Sequence, residues 1–160
     1  MMNKPNLNAT PAITAPTTVV QALNQLLAET YVVYLKTQNF HWNVIGPMFY
    51  SYHLLFESQY KELSGAVDEL AERIRALGSF APGSFVAYEK LSKIKEETNL
   101  PKALHMISLL CDNNKMIIET IKKALPVAEA AGDESTADLL IKRLGVHEKS
   151  VWMLESHLEE

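Results

Sequence analysis

One cysteine in 160 residues, Cys111, cannot form an internal disulfide and leaves no CxxC metal site. There is no excess of positive charge. Lys and Arg number 15 against 19 Asp and Glu, for a net −4, which argues against a nucleic-acid binder working by bulk charge. No apolar run approaches the ~18–20 residues needed to span a bilayer. The start, Met1 to Pro5, lacks the basic and apolar regions of a secretory signal, so a cytoplasmic location is expected. Six glycines, scattered singly, form no phosphate-cradling loop, and no Ser/His/Asp arrangement supports acyl chemistry. What is present is 48% hydrophobic residues and 21% charged ones, enough to furnish the core of one domain and too apolar for wholesale disorder.

Residues 1–17 hold three of the seven prolines and no periodic apolar pattern, so they read as a flexible tail before a domain over 18–160. Thr18 with Gln21 fits a capping box opening a first helix, which carries Val20, Leu23, Leu27, Tyr31 and Tyr34 and stops at Gly46-Pro47. The second runs from about Met48 to Leu77, with Phe56, Tyr60, Leu63, Val67, Leu70, Ile74 and Leu77 at alternating steps of four and three, and Gly78 after its end. A long connection follows, broken at Pro82-Gly83, with room for a short helix over 88–97. Pro101, with Asn99 as the expected cap, opens a third helix. Its stripe is Leu104, Ile107, Cys111, Ile118, Ile121, Leu125 and Ala128, interrupted by Asn114, with a kink expected at Pro126. Ser135 and Asp138 read as a capping box for a fourth helix carrying Leu140, Leu144, His147, Val151, Leu154 and Leu158. No strand pattern competes. The expected fold is an all-α four-helix bundle whose long second link lets helices two and three run parallel.

Chemistry must come from a site on that scaffold. On the second helix His53 and Glu57 are four apart, as are Asp68 and Glu72, and His41 ends the first helix across the Gly46-Pro47 turn. The helix-two groups share a stripe centred roughly 120° from the apolar seam. A solvated polar face is the plain alternative, but the flanks carry Tyr50, Tyr52 and Leu54 rather than a run of Lys and Glu. The two pairs lie fifteen residues apart, about 22 Å along a helix, while metal–ligand bonds are roughly 2 Å. One chain cannot close both around one metal. Two antiparallel copies of the helix, crossing near residues 62–63, would set each pair opposite the other and make two identical sites. Ser64 and Gly65 lie near that crossing and are small, although a helix glycine is also often merely tolerated. A mixed His/carboxylate set suits iron or another first-row divalent ion. The Glu-x-x-His signature of intrachain di-iron bundles is absent.

The run Asn39-Phe40-His41-Trp42-Asn43-Val44, then His53, then Asp68-Glu69-Leu70-Ala71-Glu72-Arg73, strongly resembles the Dps family of mini-ferritins, and the similarity extends to Trp152-Met153-Leu154-Glu155-Ser156-His157. The resemblance implies a ferritin-like bundle with a short helix in the long connection. Twelve copies would form a hollow shell that binds Fe(II), oxidises it preferentially with hydrogen peroxide and stores ferric mineral, protecting against oxidative stress. It also implies a ferroxidase site between two-fold-related subunits, with His41, His53 and Glu57 from one chain and Asp68 and Glu72 from the other. Glu57 stands where relatives often have Asp, one methylene shorter. Trp42 and Trp152 match tryptophans held to quench radicals near that site; core packing is the alternative. Asp133, Glu134 and Asp138 match acidic residues of three-fold iron-entry pores; a local capping role for Asp133 and Asp138 is compatible with this.

Members of this family that compact DNA use a lysine-rich tail, whereas residues 1–17 contain only Lys4. Phosphate neutralisation by Lys and Arg dominates non-specific DNA affinity, so strong DNA binding is not expected here. The rival readings are a nucleoid-binding protein with secondary ferroxidase activity and an inert structural bundle. His147, within the fourth stripe, reads as a satisfied core histidine and Cys111 as a small core hydrophobe. His105 and His157 have no partner at ligand spacing.

Overall fold

Polar interruptions, more than the apolar runs, decide how these helices end and turn. In the computed structural model residues 17–158 are described, so the expected tail up to residue 16 lies outside the described residues. Five helices follow in order: α1 Thr17–Asn43, α2 Phe49–Ala76, α3 Phe85–Leu91, α4 Ala103–Ala130 and α5 Glu134–Glu155. Among the described residues there is no strand. None of the helices is long and apolar enough to cross a membrane.

Gly78 and Gly132 close α2 and α4 with φ of 84° and 66°, a backbone conformation that a Cβ disfavours. In each, the glycine N–H and the next N–H turn back onto the helix: Gly78 to Arg75 O (3.0 Å) and Ser79 to Ile74 O (3.3 Å), Gly132 to Glu129 O (3.0 Å) and Asp133 to Ala128 O (3.0 Å). This double closure satisfies carbonyls that the helix itself leaves free.

Helix starts were harder to place from sequence. Thr18 lies inside α1, not at its cap. The short helix begins at Phe85, earlier than expected, because the Ser84 side chain accepts the Ala87 N–H. It stops at Ser92, whose hydroxyl engages both the N–H and the carbonyl of Ile94. Asn99 does not cap α4; Lys102 precedes it in extended backbone (ψ 155°), so the helix begins only after Pro101 has been passed. Pro126 sits within α4, which continues to Ala130. Ser135 and Asp138 form no capping box. Asp133 caps α5 by accepting the Thr136 N–H at 3.0 Å, because Gly132 delivers the chain directly into the next helix.

Numbers that rise on α1 fall on its neighbours. Tyr34 and His41 meet Tyr60 and His53 of α2, and Gln25 and Lys36 bond Thr120 and Asn113 of α4. Both neighbours are therefore antiparallel to α1, and α2 and α4 run parallel, as the long connection was expected to permit. The core is built from Leu23, Leu26, Leu27 and Phe40 of α1, Phe56, Leu70 and Ile74 of α2, Ile107, Leu110, Ile117 and Ile121 of α4, and Leu140 and Leu154 of α5. Leu104 and Leu158, expected in their stripes, are exposed.

The α1 stripe also departs from expectation after Leu27. The core there passes through Thr30, Val33, Thr37 and Phe40, while Tyr31 and Tyr34 are only half-buried. Thr30 and Thr37 tolerate burial because their hydroxyls donate to Leu26 O and Val33 O, both at 2.7 Å. Tyr31 and Tyr34 are thereby turned to an outer face, where Tyr31 stacks on Tyr88 of α3.

A buried polar chain explains the Asn114 interruption. The Arg143 guanidinium, 1% exposed, pairs with Glu62 of α2 and donates to His147 Nε2 at 3.0 Å. His147 Nδ1–H donates to Asn114 Oδ1 at 2.8 Å, and the Asn114 amide donates to Leu110 O at 2.8 Å. His147 is thus a satisfied core histidine. Burial first, and the adjacent Arg143 charge second, push its pKa down to about 3 from 6.5.

The consequence for stability has a definite sign. Above pH 6.5 His147 is neutral folded or unfolded. Below it the unfolded chain takes up a proton that the folded chain refuses, so stability falls from pH 6.5 down to about 3. The slope of this contribution approaches about 1.4 kcal/mol per pH unit. In urea titrations between pH 7 and 4, His147→Gln is expected to flatten the pH dependence; an unchanged slope would contradict this assignment.

Candidate metal centre

Where α1 ends and α2 begins, two histidines lock each other in place. His41 Nδ1–H donates to the His53 carbonyl and His53 Nδ1–H to the His41 carbonyl, each at 2.8 Å, because a carbonyl can only accept. The rings stack at 3.9 Å between centroids and 20° between planes. With both Nδ1 atoms engaged as donors, Nε2 is the ring nitrogen left to offer a lone pair to a metal ion. A backbone carbonyl on the far ring nitrogen is the usual support of a metal-binding histidine, since it fixes tautomer and orientation. His41 is buried and His53 half-buried, and Phe49 lies 5.1 Å from the His53 ring, Tyr60 5.1 Å from that of His41.

Glu57, one turn beyond His53, is half-buried and paired with Lys61. The hydrogen bond from Lys61, then its charge, holds the Glu57 carboxyl below its usual range, and His41 and His53 add to this. Asp68 and Glu72 are exposed on the same helix, and so are Ser64 and Gly65; a Cβ added at Gly65 would meet nothing within 4 Å. Of the flanking residues, Tyr50 and Leu54 are exposed, whereas Tyr52 is a core residue. Among the described residues no three His, Cys, Asp or Glu side chains come together in one chain so as to hold a metal ion. The chain thus brings His41 and His53 together, turns Glu57 toward Lys61, and keeps Asp68 and Glu72 apart from all three.

Around the histidines the surface is apolar. Trp42, Ile45, Met48, Phe49, Tyr50 and Leu54 are all exposed, a contiguous sequence neighbourhood of the kind that marks an interaction surface when it is left uncovered. Trp42 and Trp152 are 62% and 65% exposed, so core packing does not account for them. Sequence reasoning missed two partners of the site. Lys61 was visible as an i, i+4 companion of Glu57; Tyr60 was hidden within the apolar seam to which its spacing assigned it.

At the junction of α4 and α5 the three acidic residues divide. Asp133 has both oxygens engaged, by Thr136 N–H and Arg73 Nη2 at Oδ1 and by the Thr136 hydroxyl at Oδ2. Burial opposes its charge, but these hydrogen bonds and the Arg73 charge outweigh it and keep the carboxyl below its normal range. Glu134 and Asp138 are exposed.

Comparison with known proteins identifies the family of this fold. The ferritin-like domain family matches residues 20–160. A DNA protection during starvation protein from Brevibacillus brevis is 40% identical over 141 residues, covering 88% of this chain and 95% of that one. The crystal structure of Dps from Staphylococcus aureus superposes with a TM-score of 0.88 at 37% identity, over 92% of this chain and 99% of that one. The chain belongs to the Dps family. A Dps protein from Vibrio cholerae O1, described as a member of a broad superfamily of ferritin-like diiron-carboxylate proteins, aligns at 36% identity and a TM-score of 0.86, over 96% and 99% of the two chains. The five helices, with the short α3 in the connection, are the Dps form of the ferritin-like bundle.

Proposed function

We propose that this Dps-family chain is a cytoplasmic iron-storage and detoxification ferroxidase. It would oxidise Fe(II) with hydrogen peroxide between two-fold-related subunits and hold ferric mineral in a shell of twelve. The observation that carries the proposal is the reciprocally locked pair His41 and His53, with two Nε2 atoms left to bind a metal and, among the described residues, no group of three ligand side chains in one chain to complete a cage. In an antiparallel pair of α2 helices, Asp68 and Glu72 of one copy face His53 and Glu57 of the other and complete it. Iron is the substrate. Two ferrous ions each give up one electron, the peroxide O–O bond breaks, and two hydroxides form, so no hydroxyl radical is released. The protein holds both ions close together and offers imidazole nitrogen and carboxylate oxygen, a set suited to iron.

Glu57 joins the site by exchanging the Lys61 ammonium for the metal. Glu134 and Asp138 supply open carboxylates for the iron-entry pore, while Asp133 chiefly holds the start of α5. Trp42 and Trp152, exposed in one chain, are placed by this reading near the assembled site as radical quenchers. DNA protection, the phrase in the relatives' names, follows here from removal of iron and peroxide rather than from binding, since Lys4 is the single Lys or Arg among residues 1–17.

Mixed subunits test the shared site. A His41→Ala/His53→Ala chain and an Asp68→Ala/Glu72→Ala chain each form inactive dimers. Combined, they give heterodimers with one doubly damaged and one intact site. Peroxide-dependent oxidation of Fe(II) should therefore reappear on mixing; no recovery above either parent would overturn the proposal.

A further inference from the structure

Between α2 and α5, on the side of α2 turned away from the histidine pair, a polar pocket of about 320 Å³ opens. Ser58 and Lys149 stand at its exposed rim, and its floor is the buried pair Asn114 and His147. On a helical wheel the α2 residues of this pocket lie roughly 160° round from the stripe of His53, Glu57, Asp68 and Glu72. An antiparallel pair of α2 helices joined at that stripe therefore leaves the pocket uncovered.

The groups left unspent here are mainly donors. Gln59 Nε2, in the wall, is buried and has no hydrogen-bond partner. Arg143 bonds two lining residues, Glu62 and His147, and its Nε is likewise buried and unpartnered. A buried donor without an acceptor is destabilising, and native proteins leave few of them. Asn114 gives its oxygen to His147 and one N–H to Leu110 O, which leaves its second N–H. At the rim, Lys149 takes part in none of the ion pairs among the described residues. The charge of Glu62 is already met by Arg143, so two cations, Lys149 and Arg143, stand against one carboxylate.

We propose that this pocket binds a small protonated oxyanion, inorganic phosphate. Its oxygens accept from Gln59 Nε2, Asn114 Nδ2 and Lys149 Nζ, with the Ser150 hydroxyl as a further donor, and water completes the shell of an anion smaller than the pocket. Glu62 would repel a bare anion. Hydrogen phosphate, however, carries a P–O–H, and the Glu62 oxygens keep lone pairs beyond those that Arg143 occupies. Ser58, whose hydroxyl donates to Leu55 O, can likewise only accept from a ligand. Sulfate has no proton at neutral pH, so it leaves both acceptors unmet and faces Glu62 as a like charge. The same donors and acceptors thus select phosphate over sulfate. Asn114, His147 and Glu62 belong both to the pocket and to the buried polar chain, so bound phosphate braces that chain and stabilises the folded bundle. The site stands independently of the ferroxidase reading.

The test is calorimetric titration of the intact assembly, prepared without iron, with inorganic phosphate at pH 7 in a chloride buffer, and with sulfate under the same conditions. Saturable binding of one phosphate per subunit is expected, at least about tenfold tighter than sulfate. The melting temperature should rise with phosphate concentration. Gln59→Leu, which keeps most of the volume and removes the amide, should weaken phosphate binding about 10–100-fold, the range for a hydrogen bond to a charged group. Lys149→Gln changes an exposed position where folding is not at stake; it should weaken binding and flatten its dependence on ionic strength. Both variants should oxidise Fe(II) as the unaltered chain does. Absence of saturable phosphate binding, or sulfate binding as tight as phosphate, overturns the proposal. So does unchanged phosphate affinity in a folded Gln59→Leu assembly or in Lys149→Gln.

Discussion

A His53→Ala chain is expected to lose its ferrous site while keeping its fold. Two separate contributions disappear with this side chain. The first is a ligand lone pair at Nε2. The second is the Nδ1–H bond to the His41 carbonyl and the ring stacked on His41, which together aim the remaining histidine. Loss of an outer partner of a metal ligand commonly lowers affinity or activity about 10–100-fold, and here a ligand is removed as well, so the loss should be at least of that size. Stability should change far less, because one neutral hydrogen bond contributes about 0.5–1.5 kcal/mol. Anaerobic Fe(II) titration and stopped-flow oxidation by peroxide measure the first effect, and thermal melting the second. Near-normal iron binding in a well-folded His53→Ala assembly would remove the histidine pair from the proposed site.

Glu62→Ala should be the most damaging single change to stability outside the apolar core. The Arg143 guanidinium is 1% exposed, and Glu62 is the carboxylate that pairs with it, Nη2 to Oε2 at 3.1 Å with a shorter bond from Nη1. Removing the carboxylate leaves a buried cation without its counter-charge, at a cost of about 3–5 kcal/mol. At roughly 2–4 °C per kcal/mol for a domain of this size, the melting temperature should fall by about 6–20 °C. The reverse deletion is not symmetrical. Glu62 is 40% exposed, so in Arg143→Met it turns to water, and methionine refills much of the arginine's volume. Arg143→Met should therefore cost clearly less than Glu62→Ala. The opposite order would show that burial of the guanidinium is not what makes this pair matter.

His147 shows why the candidate site and the core were separable in advance. It lies at apolar spacing among Leu140, Leu144 and Leu154, so a core role was legible, whereas His53 and Glu57 lie off their helix's seam. Tyr60 and Arg143 were not legible, for related reasons. Tyr60 fits the seam by spacing, yet presents its ring to His41 because α1 passes beside it. Arg143, a charge three residues beyond Leu140, looks solvent-facing until Glu62 of α2 pairs with it and His147, itself held by Asn114 of α4, takes its other N–H.

The amino-acid order by itself determined the number of long helices, the glycines that end two of them, the parallel course of α2 and α4, and the 15-residue gap that divides the candidate ligands into two half-sets. These follow from periodicity and helix rise, which are local and fixed. Only the tertiary structure decided which caps form, that Glu57 rests on Lys61, and that two histidines from different helices fix each other's tautomer. Each depends on which side chain of one helix meets which of another, and that is set by competition for burial and hydrogen bonds across the whole bundle.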